Sequence, residues 1–406
     1  MKAQSAKFLQ LIKGRKQFIV PIYQRPYSWH INHCAQLIKD ILRIGADTAI
    51  NMGHFIGSIV YFEDRGPITA IRKLQLIDGQ QRLTTVLILI AAMADFLKKH
   101  DNIQVGITST KLQNYYLYNF EEEDDNKQKL LLTKKDRELF IQVINGVSGL
   151  DVPDQILNNY KYFGQIVTAE NIEILYNGLL KLIIVDVVLE RGEDDPQAIF
   201  ESLNSTGLAL SQADLIRNYI LMSQSVELQQ ELYEKYWYPA EQNFGLDYNL
   251  KFDHFIRDYI SVKTGSIPNE KEVYYKFKIL CENNRDINGI NNIKVICQEL
   301  NLYSRFYANI ALYKEKDKDL LSIFTRIIQL KVDVAYPFLL AIYADYDSGM
   351  ITTTEFIAVL HLVESYVFRR AICEIPTNSL NKTFVNLHKQ IDMENYVESE
   401  SVINFV

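Results

Sequence analysis

Cysteine is scarce in this chain of 406 residues, and the four present, Cys34, Cys281, Cys297 and Cys373, stand far apart with no CxxC spacing. That pattern suggests neither a zinc ribbon nor a disulfide framework, and it fits reduced thiols in a cytoplasmic protein. A surplus of basic charge is also missing, since the formal net charge is -7 at pH 7. A protein that binds nucleic acid over its whole surface would be basic, so any such contact must be a local patch. Long apolar runs are absent as well. The longest uncharged apolar stretch, Leu83 to Ala94, is too short to span a bilayer. Met1-Lys2-Ala3-Gln4-Ser5 opens no signal peptide, so no membrane partner is expected. Glycine and proline thin out after about residue 210, where Leu, Ile and Tyr recur at helical spacing. No internal repeat or low-complexity tract interrupts the chain.

What is present is ordinary globular material: 48% hydrophobic and 23% charged residues, in a chain long enough for two or three domains. The most informative segment is Ile77-Asp78-Gly79-Gln80-Gln81-Arg82. Lys73 to Ile77 has the alternation of a short strand, and Leu83 to Leu97 is helical in length and content. Asp78-Gly79 is therefore a strand-to-helix turn, with Asp78 expected as N-cap. The N–H groups of Gly79, Gln80 and Gln81 then lie near a free helix end, which favours anions. Arg82 adds a fork of donors suited to phosphate. The two carboxamides are placed to read a base, a ribose or a phosphate oxygen. The plain structural alternative is a well-capped buried helix with polar residues at its mouth.

Around this turn, Gln17 to Tyr23 reads as a strand ending at Pro21, and Tyr23 to Trp29 as a loop because Pro26 biases Arg25 away from helix. Ser28 is expected to cap a helix to about Ile44, with Ile31, Cys34, Leu37, Ile38, Ile41 and Leu42 on one face. His54 to Phe62 is strand-like, and Asp64-Arg65-Gly66-Pro67 is a turn. The charge run Glu121 to Lys127 reads as a solvated loop, helices are expected near 134–146 and 154–178, and Lys181 to Leu189 is a buried strand. A helix opens at Pro196. The expected class is α+β: an α/β core with a small mixed sheet, followed by a large all-α domain. The divisions are 1–100 as the first part of the core, 101–178 as a helical insertion with the acidic loop, 179–222 completing the core, and 223–406 all-helical.

The second informative segment runs from Phe200 to Asn218 as helix, turn and helix. Asn204 to Gly207 is turn chemistry, with Gly207 expected at positive φ. Ser211 with Asp214 forms a capping box in its Asp variant. Asn204, Arg217 and Asn218 are not needed for capping and are candidates to face the Asp78 turn across a cleft. Lys2, Lys7, Lys13, Arg15 and Lys16 make the one concentrated basic stretch. Lys13, Arg15 and Lys16 are the DNA-backbone candidates, against a solvated helix face. His30 and Cys34 stand i, i+4, a spacing that can bind metal, though no further ligand lies near in sequence and a core-and-surface helix is simpler. Asp194-Asp195 can hold Mg²⁺ or start a helix. Tyr115-Tyr116-Leu117-Tyr118 offers base stacking or helix packing.

Three stretches taken together carry a resemblance: Ile19 to Trp29 (IVPIYQRPYSW), the Asp78 to Arg82 turn, and Phe200 to Asn218. In this order and spacing the set resembles the N-terminal domain of GmrSD-type, modification-dependent restriction proteins, a group that includes phosphorothioate-sensing defence proteins. Phe255 to Tyr259 and Glu364 to Cys373 resemble the helical region that follows in that family. The resemblance implies a ParB/sulfiredoxin-like core that binds and hydrolyses a nucleoside triphosphate (GTP, UTP or ATP) with Mg²⁺. It implies that hydrolysis is coupled to sensing modified double-stranded DNA in antiphage defence. By motif match, Asp78, Gly79, Gln80, Gln81 and Arg82 form the nucleotide site, bordered by Tyr23, Gln24 and Arg25. Asp78, Gln81 and Arg82 are the catalytic candidates. Arg82 would hold phosphate oxygens, Gln80 or Gln81 would orient water, and Asp78 would either hold Mg²⁺ or fix the turn.

The family carries a C-terminal HNH nuclease domain. Here Thr377 to Lys382 and a helical tail follow Arg370, with no His-rich ββα-metal signature, and His388 is a lone helical histidine. Either this sequence is shortened or the nuclease is a separate chain, and DNA cleavage by this chain alone is not expected. Two other readings stand beside the sensor NTPase. One is a binding module that holds nucleotide or DNA without turnover and recruits a nuclease. The other is a nuclease acting through the core itself, which one Asp supports poorly. The Tyr- and Leu-rich helical half is a candidate homodimer surface.

Overall fold

Period-two patterning at Lys73–Ile77 and His54–Phe62 and the apolar run at 182–189 become the centre of one mixed sheet. A computed structural model describes the chain apart from residues 48–52, 65–69, 104, 148, 150, 205–209, 223, 284–292, 376–379, 392–406 and the side chains of 203 and 204. The expected turns at Asp64–Pro67 and Asn204–Gly207 fall largely on residues outside those described. The strands are β1 Lys2–Lys7, β2 Lys16–Ile19, β3 His54–Glu63, β4 Arg72–Asp78, β5 Leu130–Leu131 and β6 Leu182–Leu189, in the order β1-β6-β3-β4-β2-β5. β1/β6 and β3/β4 are antiparallel; β3/β6, β2/β4 and β2/β5 are parallel. β1 was not expected from sequence. Lys-Ala-Gln-Ser-Ala-Lys has no apolar face, because it is an exposed edge strand with lysines at both ends.

The chain divides into two compact units, Met1–Ala209 and Leu210–Val406. In the first, helices α1 Phe8–Ile12, α2 Ile31–Ala46, α3 Gln80–Lys99, α4 Ser109–Leu112, α5 Lys134–Ile144, α6 Gln155–Ile166, α7 Ile172–Leu180 and α8 Pro196–Asn204 surround the sheet. Leu74 and Leu76 of β4, Ile59 and Tyr61 of β3 and Ile184 of β6 join the same buried cluster as α3. α3 is the centre of that cluster. Leu83 and Val86 through Ala94 are all at most 3% exposed, so the helix has no solvent stripe. Each Leu, Ile, Val or Met among them contributes roughly 1.5–3 kcal/mol on burial. α3 is the one described helix long and apolar enough to cross a membrane, and 83% of the relevant window is buried inside the unit; that is the mark of a core helix.

One long helix expected near 154–178 is two, α6 and α7. Asn171 Oδ1 accepts from Thr168 N at 2.9 Å and its Nδ2 donates to Ile166 O at 2.8 Å, which turns the chain without Gly or Pro. The acidic run also differs from a purely solvated loop. It holds a short 3₁₀ turn at Asp124–Asn126, and Gln17 on β2 donates to Asp125 O and Gln128 O.

In the second unit every described element is helical: α9 Gln212–Met222, α10 Val226–Leu232, α11 Tyr238–Phe244, α12 Tyr248–Thr264, α13 Val273–Asn283, α14 Ile293–Ala311, α15 Lys318–Gln329, α16 Tyr336–Asp347, α17 Thr353–Ile372 and α18 Leu380–Gln390. Aromatic residues fill its centre. Phe244 lies 4.9 Å from Phe252 and 5.5 Å from both Phe255 and Tyr307, ring centre to ring centre. The α+β core followed by a helical region is thus as the sequence predicts.

Candidate functional site

β4 ends at Asp78 and α3 begins at Gln80, with Gly79 between them at φ +96°. A Cβ at Gly79 would run into the Ile59 side chain and lie 2.9 Å from Ser58 O, so this turn needs glycine twice over. Gly79, not Asp78, is the N-cap, and no side chain caps the helix. The expected cap is corrected for a clear reason: the Asp78 carboxylate is committed elsewhere. Its Oδ2 accepts from Arg82 Nη2 at 2.8 Å, with Ser58 Oγ at 3.5 Å. Arg82 Nη1 also donates to Ile56 O at 3.0 Å. Asp78 and Arg82 keep 26% and 21% side-chain exposure, so the pair is reachable from solvent.

The two glutamines of the turn hold the preceding loop. Gln80 Nε2 donates to Gln24 Oε1 at 2.8 Å, and Gln24 Nε2 donates to Ile77 O at 2.8 Å. Gln81 Oε1 accepts from Ser28 N at 2.8 Å, and its Nε2 donates to Pro26 O at 3.2 Å. Both glutamines are 7% exposed. The carboxamides expected to read a ligand therefore tie the Asp78–Arg82 turn to the Tyr23–Trp29 loop. Ser28 does not cap α2, which starts at Ile31 behind a capping box of His30 and His33. Tyr23 and Gln24 are buried and Arg25 half-buried in the same loop. Burial raises the Tyr23 hydroxyl above its ordinary range.

Three residues that sequence reasoning missed pin the loop from the other side. Tyr27 N donates to Asp136 Oδ2 on α5 at 2.6 Å. Tyr27 OH meets Thr85 Oγ1 on α3 at 2.7 Å, and Asn159 Nδ2 on α6 donates to Tyr27 OH at 2.9 Å and to Trp29 O at 2.8 Å. Burial pushes the Asp136 carboxyl up to about 6, against the pull of the Tyr27 N–H. No local signal points to Asp136 or Asn159, which lie more than a hundred residues along the chain from Tyr27.

Of the remaining candidates, Arg217 and Asn218 belong to the second unit. Arg217 is 2% exposed and donates to Asp214 at 2.8 Å and Glu241 at 2.9 Å; Asn218 Nδ2 donates to Asp214 O at 2.8 Å. Asp214 N donates to Ser211 Oγ at 3.0 Å, the expected cap. The Asn204 side chain lies outside the described residues. Lys13 sits over the Tyr115 and Tyr116 rings at 5.1 and 5.7 Å, and Arg15 pairs with Glu122 at 2.5 Å. Lys16 is half-buried on β2, and burial with the neighbouring Arg72 lowers its pKa. Asp195 Oδ1 accepts from Gln197 N and Ala198 N at the start of α8. Cys34 is buried, and His388 Nε2 meets Asp345 at 2.6 Å. Among the described residues no group of three or more His, Cys, Asp or Glu is placed to hold a metal.

Residues 8–221, which include all of this turn and loop and every strand of the sheet but β1, match the family model described as GmrSD restriction endonuclease, N-terminal domain. That is more than half of the chain. It belongs to the GmrSD N-terminal domain family. No curated protein matches it. The GmrSD-type match makes the chain a member of a restriction-endonuclease family, and it spans both the Asp78–Arg82 turn and α8 with most of α9.

Proposed function

We propose that this GmrSD-type chain binds a nucleoside triphosphate (GTP, UTP or ATP) at the Asp78–Arg82 turn, in a ParB/sulfiredoxin-like core. It hydrolyses the nucleotide as the sensor of a modification-dependent restriction system. The observation that carries this is the 2.8 Å Asp78–Arg82 pair at the N-terminal mouth of a buried helix. One turn thereby offers a carboxylate, a guanidinium and the unpaired first-turn N–H groups that favour phosphate. Asp78 suits a Mg²⁺ that keeps most of its waters and takes other ligands from substrate phosphates. When bound, that ion neutralises phosphate charge. Arg82 exchanges one hydrogen bond for a phosphate oxygen, a charge-assisted bond of about 1.5–3 kcal/mol. Gln80 and Gln81 keep the loop closed over the turn. Modified double-stranded DNA and a nuclease on another chain are the proposed partners.

A second reading, nucleotide binding without turnover, draws support from the same glutamines. Gln81 spends both ends of its carboxamide on the loop, which takes it away from aiming water. Phosphate release from each common triphosphate, with Mg²⁺ and with or without modified duplex DNA, separates the two. Release stimulated by modified DNA and lost in Arg82→Ala is the expected result. Binding without release would establish the second reading, and an Arg82→Ala protein that binds and hydrolyses normally would sink both.

A further inference from the structure

The Arg82 guanidinium rests on the backbone of β3, at the point where that strand is irregular. The pairing of β3 with β6 shifts register between Phe55 and Ser58. Within that shift Gly57 has φ +105°, a conformation L side chains rarely adopt. A Cβ built on Gly57 would fall on Arg82 Nη1 and lie 2.8 Å from Cζ. The neighbouring Ile56 carbonyl accepts from the same Nη1 at 3.0 Å, while Nη2 reaches Asp78. The missing side chain is thus the space that the guanidinium fills. A glycine inside a strand commonly marks a bulge or a close approach, and here it marks both.

We infer that Gly57 is the positioning residue of the proposed nucleotide site: the β3 bulge is a seat that holds Arg82 over Asp78 and aims it at phosphate. The inference rests on the nucleotide reading above. With any side chain at Gly57, the guanidinium leaves Ile56 O, and its bond to Asp78 goes with it. Gly57 has no side chain to offer a ligand, so its effect on binding passes through Arg82.

The test is a double-variant cycle on the full chain, with inorganic triphosphate and ATP as probes and calorimetric affinity and melting temperature as readouts. Arg82→Ala is expected to weaken triphosphate binding tenfold or more. Gly57→Ala should match that loss, yet change affinity less than twofold when Arg82 is already alanine. Melting should show the same coupling, with Gly57→Ala costing less in the Arg82→Ala background because the clash is gone. A purely structural role would lower the melting temperature equally in both backgrounds. Gly57→Ala with wild-type affinity, beside an Arg82→Ala that has lost it, overturns the seat and leaves the nucleotide reading standing. Unchanged affinity in Arg82→Ala overturns both. If Gly57→Ala alone fails to fold, both variants are compared in a stabilising osmolyte: backbone strain at φ +105° is common to the two, so a double variant more stable than Gly57→Ala places the clash at the guanidinium, and one no more stable refutes the assignment.

Discussion

Replacing Gln81 by leucine separates a residue that holds a loop from one that aims a water molecule. Leucine keeps most of the volume and the helix propensity at this position, so α3 itself should be little affected. What is lost is the pair of bonds to Ser28 N and Pro26 O, at 2.8 and 3.2 Å, in a place where the side chain is 7% exposed. One backbone donor and one backbone acceptor are left without partners, at about 1–3 kcal/mol each, and the gain from a buried apolar side chain offsets about 1 kcal/mol. The net is about 1–5 kcal/mol against the closed loop. That predicts amide exchange at Ser28 faster by roughly 5- to 4000-fold, through local opening rather than global unfolding. Hydrogen exchange followed by mass spectrometry on peptides spanning Tyr23 to His30 reads this directly. On the nucleotide reading, affinity should fall alongside, because the loop borders the proposed site. Exchange at Ser28 within threefold of the wild-type rate would refute the reasoning. If turnover alone were lost while exchange stayed slow, Gln81 would have the water-orienting role that its bonds argue against.

Two further outcomes follow from the buried charges. Asp136 is raised by burial from 3.8 to about 6, so between those values the folded protein keeps a proton that the unfolded chain releases, and stability falls as pH rises through that window by up to about 3 kcal/mol. Asp136→Asn keeps an oxygen for the Tyr27 N–H and should flatten the urea midpoint from about pH 4 to 6; a variant that retains the wild-type slope would count against it. Arg217→Met strips Asp214 and Glu241 of their buried cation and should destabilise the second unit by about 3–5 kcal/mol, read by fluorescence of Trp237, whose Nε1 donates to Glu241 at 2.7 Å. A loss under about 1 kcal/mol would remove the structural account of that arginine.

The strands and the turn were legible because their signals are local. Lys73 to Ile77 alternates, Gly79 follows directly, and α3 is an unbroken apolar run. The roles of the polar residues were not legible, because each depends on a partner far away in sequence. Ser28 has the composition of a cap, yet Gln81 takes its N–H. Asp78 has the composition of a cap too, yet Arg82 one turn later takes its carboxylate. Asp136 and Asn159 look like surface residues of amphipathic helices until the fold brings Tyr27 between them. β1 escaped notice because an exposed edge strand carries no apolar alternation, and β5 because two residues carry no period. Gly57 did give a signal, a glycine in the middle of a strand, but only the Arg82 side chain lying on it gives that signal a meaning.

The burial of α3 on every side bears on how the site meets its ligand. A surface helix frays from its ends, so a site at its first turn would exist only part of the time. α3 carries that turn into the cluster that opens only when the whole unit opens, and its exchange should be among the slowest in the chain. The turn is therefore already assembled before any ligand arrives, and association does not have to order it. On the nucleotide reading, the work left for an arriving phosphate is an exchange of partners at one guanidinium.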